Sequence, residues 1–131
     1  MNRVLCVDDS ATVRRFIVKA MEQFRFRQIH EAGNGREALE CLKQNDVDLI
    51  ILDMKMPVMN GVEFMEACAG IDRYRSIPVI VLSTEGKNED LVERAIALGA
   101  KAFLQKPFEL REMKKAIARI SATEDSQPEI L

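Results

Sequence analysis

Residues Leu49 to Leu52 form an unbroken apolar run, and a carboxylate, Asp53, follows at once. A continuous apolar run of this length, without polar alternation, reads as a strand covered on both faces. Strands of that kind belong to parallel sheets with helices packed on each side. Behind Asp53 come Met54, Lys55, Met56, Pro57, Val58, Met59, Asn60 and Gly61. The Pro and the closing Asn-Gly stop the strand and open a new element. A charge set directly behind a buried strand is costly unless it sits at an open sheet end with partners. Those partners must come from the rest of the chain.

Four more apolar or strand-like runs alternate with helical patterns. Arg3 to Val7 is a short apolar run, and Asp8-Asp9-Ser10 follow it. Ser10 is a good N-cap for a helix whose apolar positions are Val13, Phe16, Ile17, Ala20, Met21 and Phe24. Arg14, Arg15 and Lys19 then fall on its solvated side. Gln28 to Ala32 is polar-alternating and suits a sheet edge. Asn34 with Glu37 three residues on resembles a capping box, opening a helix that packs Ala38, Leu39 and Leu42. Gly61 leads a helix with Val62, Met65, Cys68 and Ala69 inward, and Asp72 to Ser76 reads as a polar connection. Val79 to Leu82 is apolar and ends at Ser83-Thr84; a helix carrying Leu91, Val92, Ala95, Ile96 and Leu98 follows, with Gly99 as its stop. Ala102 to Leu104 is a last short strand, followed by Lys106-Pro107. A final helix places Leu110, Met113, Ile117 and Ile120 on one face. Residues 122–131 show no period and read as a mobile tail or the start of a linker, leaving residues 1–121 as one domain.

Five strands alternating with five helices through short connections predict an α/β fold with a parallel sheet and helices on both faces. The three most apolar strands, ending at Val7, Leu52 and Leu82, belong at the centre. The polar second strand and the short fifth belong at the edges. Strand order 2-1-3-4-5 satisfies this, with a switch point between the first and third strands, outside whose carboxyl ends ligands bind.

Composition excludes several classes. The net charge is -2, too near neutral to suggest a nucleic-acid or membrane surface by bulk electrostatics. No apolar run approaches membrane-spanning length. Cys6, Cys41 and Cys68 are odd in number, form no CxxC pair and lie within apolar patterns, so they read as core residues in a reducing, cytoplasmic compartment. His30, the single histidine, lies in the polar edge strand and serves no nucleophile system or metal cluster.

What stands at the strand ends carries the chemistry. Asp8 and Asp9 follow the first strand, Asp53 the third, Ser83 ends the fourth and Lys106 follows the fifth. In the order above these converge at the switch point. Each pair of carboxylates at ~4 Å costs on the order of 4 kcal/mol at an effective dielectric near 20. A hard divalent cation offsets the repulsion, and carboxylate and water oxygens suit Mg²⁺. Mg²⁺ in turn favours phosphate chemistry, where an ammonium and a hydroxyl can pair with further phosphoryl oxygens and a carboxylate can accept the group.

With these motifs together, the chain resembles the receiver domain of bacterial two-component response regulators, across roughly residues 2–121. The motifs are Val7-Asp8-Asp9-Ser10, Leu52-Asp53-Met54-Lys55-Met56-Pro57 with Asn60-Gly61, Val81-Leu82-Ser83, Gly99-Ala100 and Lys106-Pro107-Phe108. The resemblance implies a flavodoxin-like fold, either a stand-alone receiver of chemotaxis type or a piece of a longer regulator. It implies Asp53 as phosphoacceptor from a histidine kinase's phosphohistidine, and Asp9 and Asp53 as direct Mg²⁺ ligands with the backbone carbonyl of Lys55. Asp8 would act mostly through water. Lys106 would pair with the phosphoryl group beside a cis bond to Pro107. Ser83 would move toward a phosphoryl oxygen, and Phe103 would be the aromatic switch turning inward behind it. The partners implied are a sensor histidine kinase or phosphotransfer protein and a downstream target, with no direct nucleic-acid or membrane contact. The docking face would include Lys87, Lys101, Arg111 and Lys115.

Three positions depart from the family's commoner pattern. Ser83 replaces the more usual Thr, and Thr84 is its rival because the interval to Lys106 is one residue longer than usual. Phe103 replaces the frequent Tyr and brings no hydroxyl. Lys55 and Glu85 flank the site with opposite charges and could form a lid-like pair that tunes the phosphate lifetime. The rival classes are a metal-dependent phosphatase with an Asp nucleophile, a flavin-binding flavodoxin and a phosphorylation-silent docking module. The adjacency of Asp8 and Asp9 with Ser10 behind them disfavours the first, the repulsion of a flavin phosphate by these two acids the second, and the complete acceptor set the third.

Overall fold

A computed structural model describes residues 1–84, 89–122 and 129–130. The chain runs β1 (Arg3–Val7), α1 (Ala11–Glu22), β2 (Gln28–Ala32), α2 (Gly35–Gln44), β3 (Leu49–Asp53) and α3 (Gly61–Ala69). It continues α4 (Asp72–Arg75), β4 (Val79–Ser83), α5 (Glu89–Ala97), β5 (Ala100–Gln105), α6 (Leu110–Ala122) and β6 (Glu129–Ile130). The first five strands lie parallel in order 2-1-3-4-5, as the strand apolarity predicts.

The unbroken apolar strands are explained by the sheet having a core on each side. Leu5, Val7, Ile50, Leu52, Val81 and Phe103 join one apolar cluster, with Ala38 and Leu42 of α2, Phe64 and Met65 of α3 and Val92 and Ala95 of α5. The alternate residues Val4, Cys6, Ile51, Ile80, Leu82 and Leu104 join the other, with Ile17 and Met21 of α1 and Met113 and Ala116 of α6. Each fully buried aliphatic side chain contributes about 1.5–3 kcal/mol, so the central strands are held from both faces. Their C-terminal ends all point to one edge of the layer, because all run in parallel.

Several elements differ from the sequence reading. Asp72–Arg75 is a short helix that buries Tyr74, where a polar connection is predicted; a single turn is too short for periodicity to register. Phe64 is fully buried on α3, adjacent to the predicted Met65. Phe16 is 52 % exposed instead of core-facing, its ring 5.3 Å from that of Phe108. Leu110 likewise turns outward, because α6 buries Met113 and Ala116 instead. Finally, β5 is not the sheet edge: β6 pairs with it in parallel. Those two residues fall within the stretch read as a tail.

Helix ends follow the capping chemistry of the sequence. The Ser10 hydroxyl accepts from the Val13 N–H at 3.2 Å, and Asn34 Oδ1 accepts from the Glu37 N–H at 2.9 Å. Glu37 reaches back to the Gly33 N–H rather than to Asn34's own. Gly99, in the left-handed region at φ +106°, ends the segment after α5.

Candidate functional site

The open end of the sheet gathers residues from β1, β3, β4 and β5. Asp8, Asp9 and Asp53 each bring a carboxylate oxygen to within 4.8 Å of the others. Asp8 is 1 % exposed, Asp53 5 % and Ser83 4 %, while Asp9 faces solvent. Lys106 reaches in from the loop after β5. Its Nζ donates to Asp8 Oδ2 at 2.6 Å and lies 3.2 Å from Asp53 Oδ1. The repulsion between two buried carboxylates is thus relieved by one ammonium between them.

Local folding explains each placement. The Asp8 carboxylate accepts from the Ser10 N–H at 2.9 Å, so the residue that caps α1 also orients the acid. Asp8 N–H donates to the Ala32 carbonyl at 3.1 Å, fixing the acid above β2. The Lys106 N–H donates to the Ser83 carbonyl at 2.9 Å, continuing the β4–β5 ladder to the strand end. The Lys106–Pro107 bond is cis, as the resemblance implies. Ser83 ends β4 and is buried, and Thr84 is exposed in the bend after it.

The loop behind Asp53 is pinned at its far end. Asn60 and Glu63 complete a capping box on α3, with Asn60 Oδ1 accepting from the Glu63 N–H at 2.9 Å and Glu63 accepting from the Asn60 N–H at 3.0 Å. The Gly61 N–H donates to the Met54 carbonyl at 3.1 Å. A Cβ on Gly61 would lie 2.8 Å from the Asp53 carbonyl oxygen, so only glycine permits this approach. Lys55, exposed on that loop, donates its N–H to Asp53 Oδ1 at 3.4 Å. A cleft of about 420 Å³ opens here between Asp9, Met54, Lys55, Met56, Pro57 and Asn60. A cleft of about 470 Å³ lies at the opposite ends of the strands, lined by Asn45, Asp48 and Tyr74 among others, and holds none of these acids.

Burial pushes the Asp53 carboxyl above its ordinary range. The Lys106 charge opposes that rise, the Asp8 charge adds to it, and hydrogen bonds from Lys106 and the Lys55 N–H hold it back. A buried acid in this setting gains from a second cation, and the donor set of hard carboxylate oxygens fits Mg²⁺.

The predicted residues fall into three groups. Asp8, Asp9, Asp53, Ser83 and Lys106 meet at the strand ends. Phe103 lies one layer below, 4 % exposed and already turned into the core, in register with Val81 two residues before Ser83. Lys101 lies on β5 and Arg111 and Lys115 on α6; Glu85 and Lys87 lie outside the described residues. One residue was read differently from sequence: Arg14, assigned there to the solvated side of α1. Its Nη1 donates to the Asp8 carbonyl at 2.7 Å and its Nε pairs with Glu31 at 2.9 Å, bracing the acidic turn against β2. Its position one turn after the Ser10 cap, facing back toward the loop, was the available signal.

The comparisons with known proteins show the family. Residues 4–118 match the family model of the response regulator receiver domain, and the chain belongs to that family. Its similarity runs to chemotaxis-type members. A protein of Rhizobium etli named "Probable chemotaxis protein CheY" is 36 % identical over 118 residues, covering 90 % of this chain and 91 % of that one. The solved structure of the chemotaxis response regulator CheY4 of Vibrio cholerae at low pH superimposes with a TM-score of 0.84 at 33 % identity, over 92 % of this chain and 98 % of that one. A CheX–CheY–BeF₃–Mg²⁺ complex from Borrelia burgdorferi superimposes with a TM-score of 0.85 at 27 % identity, over 93 % and 90 %. The chain is therefore a receiver domain of two-component signalling. Among the described residues, no helix is long and apolar enough to cross a membrane.

Proposed function

We propose that the chain is a phosphorylation-dependent switch in which Asp53 takes a phosphoryl group from the phosphohistidine of a sensor histidine kinase or phosphotransfer protein. The convergence of Asp8, Asp9 and Asp53 within 4.8 Å, with Lys106 between two of them, carries this reading. An Asp53 oxygen bonds to phosphorus as the phosphorus–nitrogen bond breaks, and the imidazole leaves with the electron pair. The product is an acyl phosphate on Asp53. Lys106 Nζ, already beside Asp53, pairs with the transferred oxygens, and the Ser83 hydroxyl donates to another. Water later cleaves the acyl phosphate at the same site, so the domain assists both its own phosphorylation and its own reset.

Asp8, Asp9, Asp53 and the Lys55 carbonyl would hold Mg²⁺. Bound there, the ion neutralises charge on the phosphoryl oxygens. The occurrence of BeF₃ and Mg²⁺ together in the Borrelia complex supports this.

Output follows from coupling the strand ends to the α5–β5–α6 face. Movement of Ser83 toward the phosphoryl group opens room above Phe103, which lies in the layer beneath, and alters packing along β4 and β5. Lys101, Arg111 and Lys115 on that face would then meet a downstream target protein. The reading places the chain in the cytoplasm, with protein partners and without direct contact to nucleic acid or membrane.

The test is exposure to acetyl phosphate with Mg²⁺, read by intact mass. Gain of one phosphoryl group, dependent on Mg²⁺ and absent in Asp53→Ala, is expected. Sustained turnover of unrelated phosphoesters would instead identify a phosphatase, and no gain in either protein would indicate a silent docking module.

A further inference from the structure

The outer edge of β5 lies in the middle of the face assigned above to the downstream target. Strand edges carry unpaired N–H and C=O groups that recruit another strand. Here the recruit comes from the same chain: Glu129 pairs with Ala102 and Ile130 with Phe103, in parallel. Phe103 joins this edge to the layer beneath the acids, since it also pairs with Val81 on its other side.

We propose that residues 129–130 are a built-in competitor for the β5 edge. The partner they hold off is one that docks by laying an extended segment parallel to β5. A two-residue ladder gains few hydrogen bonds and must order the backbone that makes them, so closed and open forms lie close in free energy. Because the segment belongs to the same chain, its effective concentration at the β5 edge is of order millimolar, enough to weaken an incoming strand without excluding it. This rests on the reading of the α5–β5–α6 face as the docking surface.

The test uses the full chain and Ile130→Pro, which removes one of the strand's two N–H groups and fixes its φ. Amide exchange is measured by NMR at residues 101–104 without any phosphodonor. The outward-facing amides are expected to exchange about tenfold faster in Ile130→Pro, while those facing β4 stay unchanged. A synthetic peptide of residues 123–131, added in trans, is expected to shift the β5 signals of Ile130→Pro and to bind the parent chain at least about tenfold more weakly. Equal exchange in the two proteins, or equal peptide binding, overturns the proposal. Because neither readout involves phosphate, failure of the phosphoacceptor reading would register separately, in the mass experiment.

Discussion

Lys106 sits between two buried carboxylates, and its removal should be felt before any phosphate is present. Its Nζ contacts Asp8 at 2.6 Å and Asp53 at 3.2 Å. Taking one partner from a buried ion pair typically costs about 3–5 kcal/mol, because the remaining charge stays buried. Lys106→Ala should therefore lower the stability of the metal-free protein by about 3 kcal/mol in urea unfolding with chelator. Added Mg²⁺ should recover more stability in this variant than in the parent, since the ion supplies the missing positive charge; an equal recovery would count against a shared cation site. Asp53 gives the complementary case. Its carboxyl is raised, chiefly by burial, so the folded state holds that proton more tightly than the unfolded one. This contribution makes stability fall as pH rises from the ordinary carboxylate range through the raised value. Asp53→Asn should remove that fall: more stable than the parent at neutral pH in chelator, with the advantage fading as the medium becomes acidic. Thermal midpoints across that pH range check the sign.

At the scale of elements, the loop from Met54 to Asn60 holds Asp53 in place because it is tied at both ends. The Gly61 N–H reaches the Met54 carbonyl, and a Cβ at Gly61 would come within 2.8 Å of the Asp53 carbonyl oxygen and of Met54 Cα. Both are backbone atoms or close to it, so neither yields easily. Gly61→Ala should cost about 1–3 kcal/mol by overpacking and should weaken Mg²⁺ binding measured by calorimetry, through displacement of the strand end. Asn60→Ala breaks the capping box without that clash and should cost about 1 kcal/mol while Mg²⁺ affinity changes less. A larger loss of affinity in Asn60→Ala than in Gly61→Ala would contradict this division. Elements of this kind were legible in the sequence because their signals are local: unbroken apolar runs at β1, β3 and β4, and caps at Ser10 and Asn34. What escaped was set by tertiary packing. Phe16 has the spacing of a core residue, yet Ile17 and Met21 fill the space beneath α1 and leave it outside. Arg14 has the composition of a solvated residue, yet its partners are the Asp8 carbonyl and Glu31. The pairing of Glu129–Ile130 with β5 lies far from its partner in sequence, and no periodicity marks two residues.

At the scale of the whole molecule, the parallel sheet turns four separate strand ends into one site. A core on each face fixes β1, β3 and β4 side by side, so the relative positions of Asp8, Asp53 and Ser83 are properties of the sheet and not of any one loop. Core damage remote from the acids should accordingly reach stability first: Phe64→Ala should cost about 3–5 kcal/mol in urea unfolding, as for large aromatic truncations in a packed core. Mg²⁺ at one hundred times its dissociation constant should return about 2.7 kcal/mol to the parent by mass action. The central claim is that these strand ends build one phosphoacceptor on Asp53. It is tested most directly by phosphorylating the chain with acetyl phosphate and Mg²⁺, reducing the product with borohydride, and sequencing the peptides by mass spectrometry. Borohydride converts an aspartyl phosphate to homoserine. The account predicts homoserine at position 53 alone, and only when Mg²⁺ is present; homoserine at position 8 or 9, or at 53 without Mg²⁺, would contradict it.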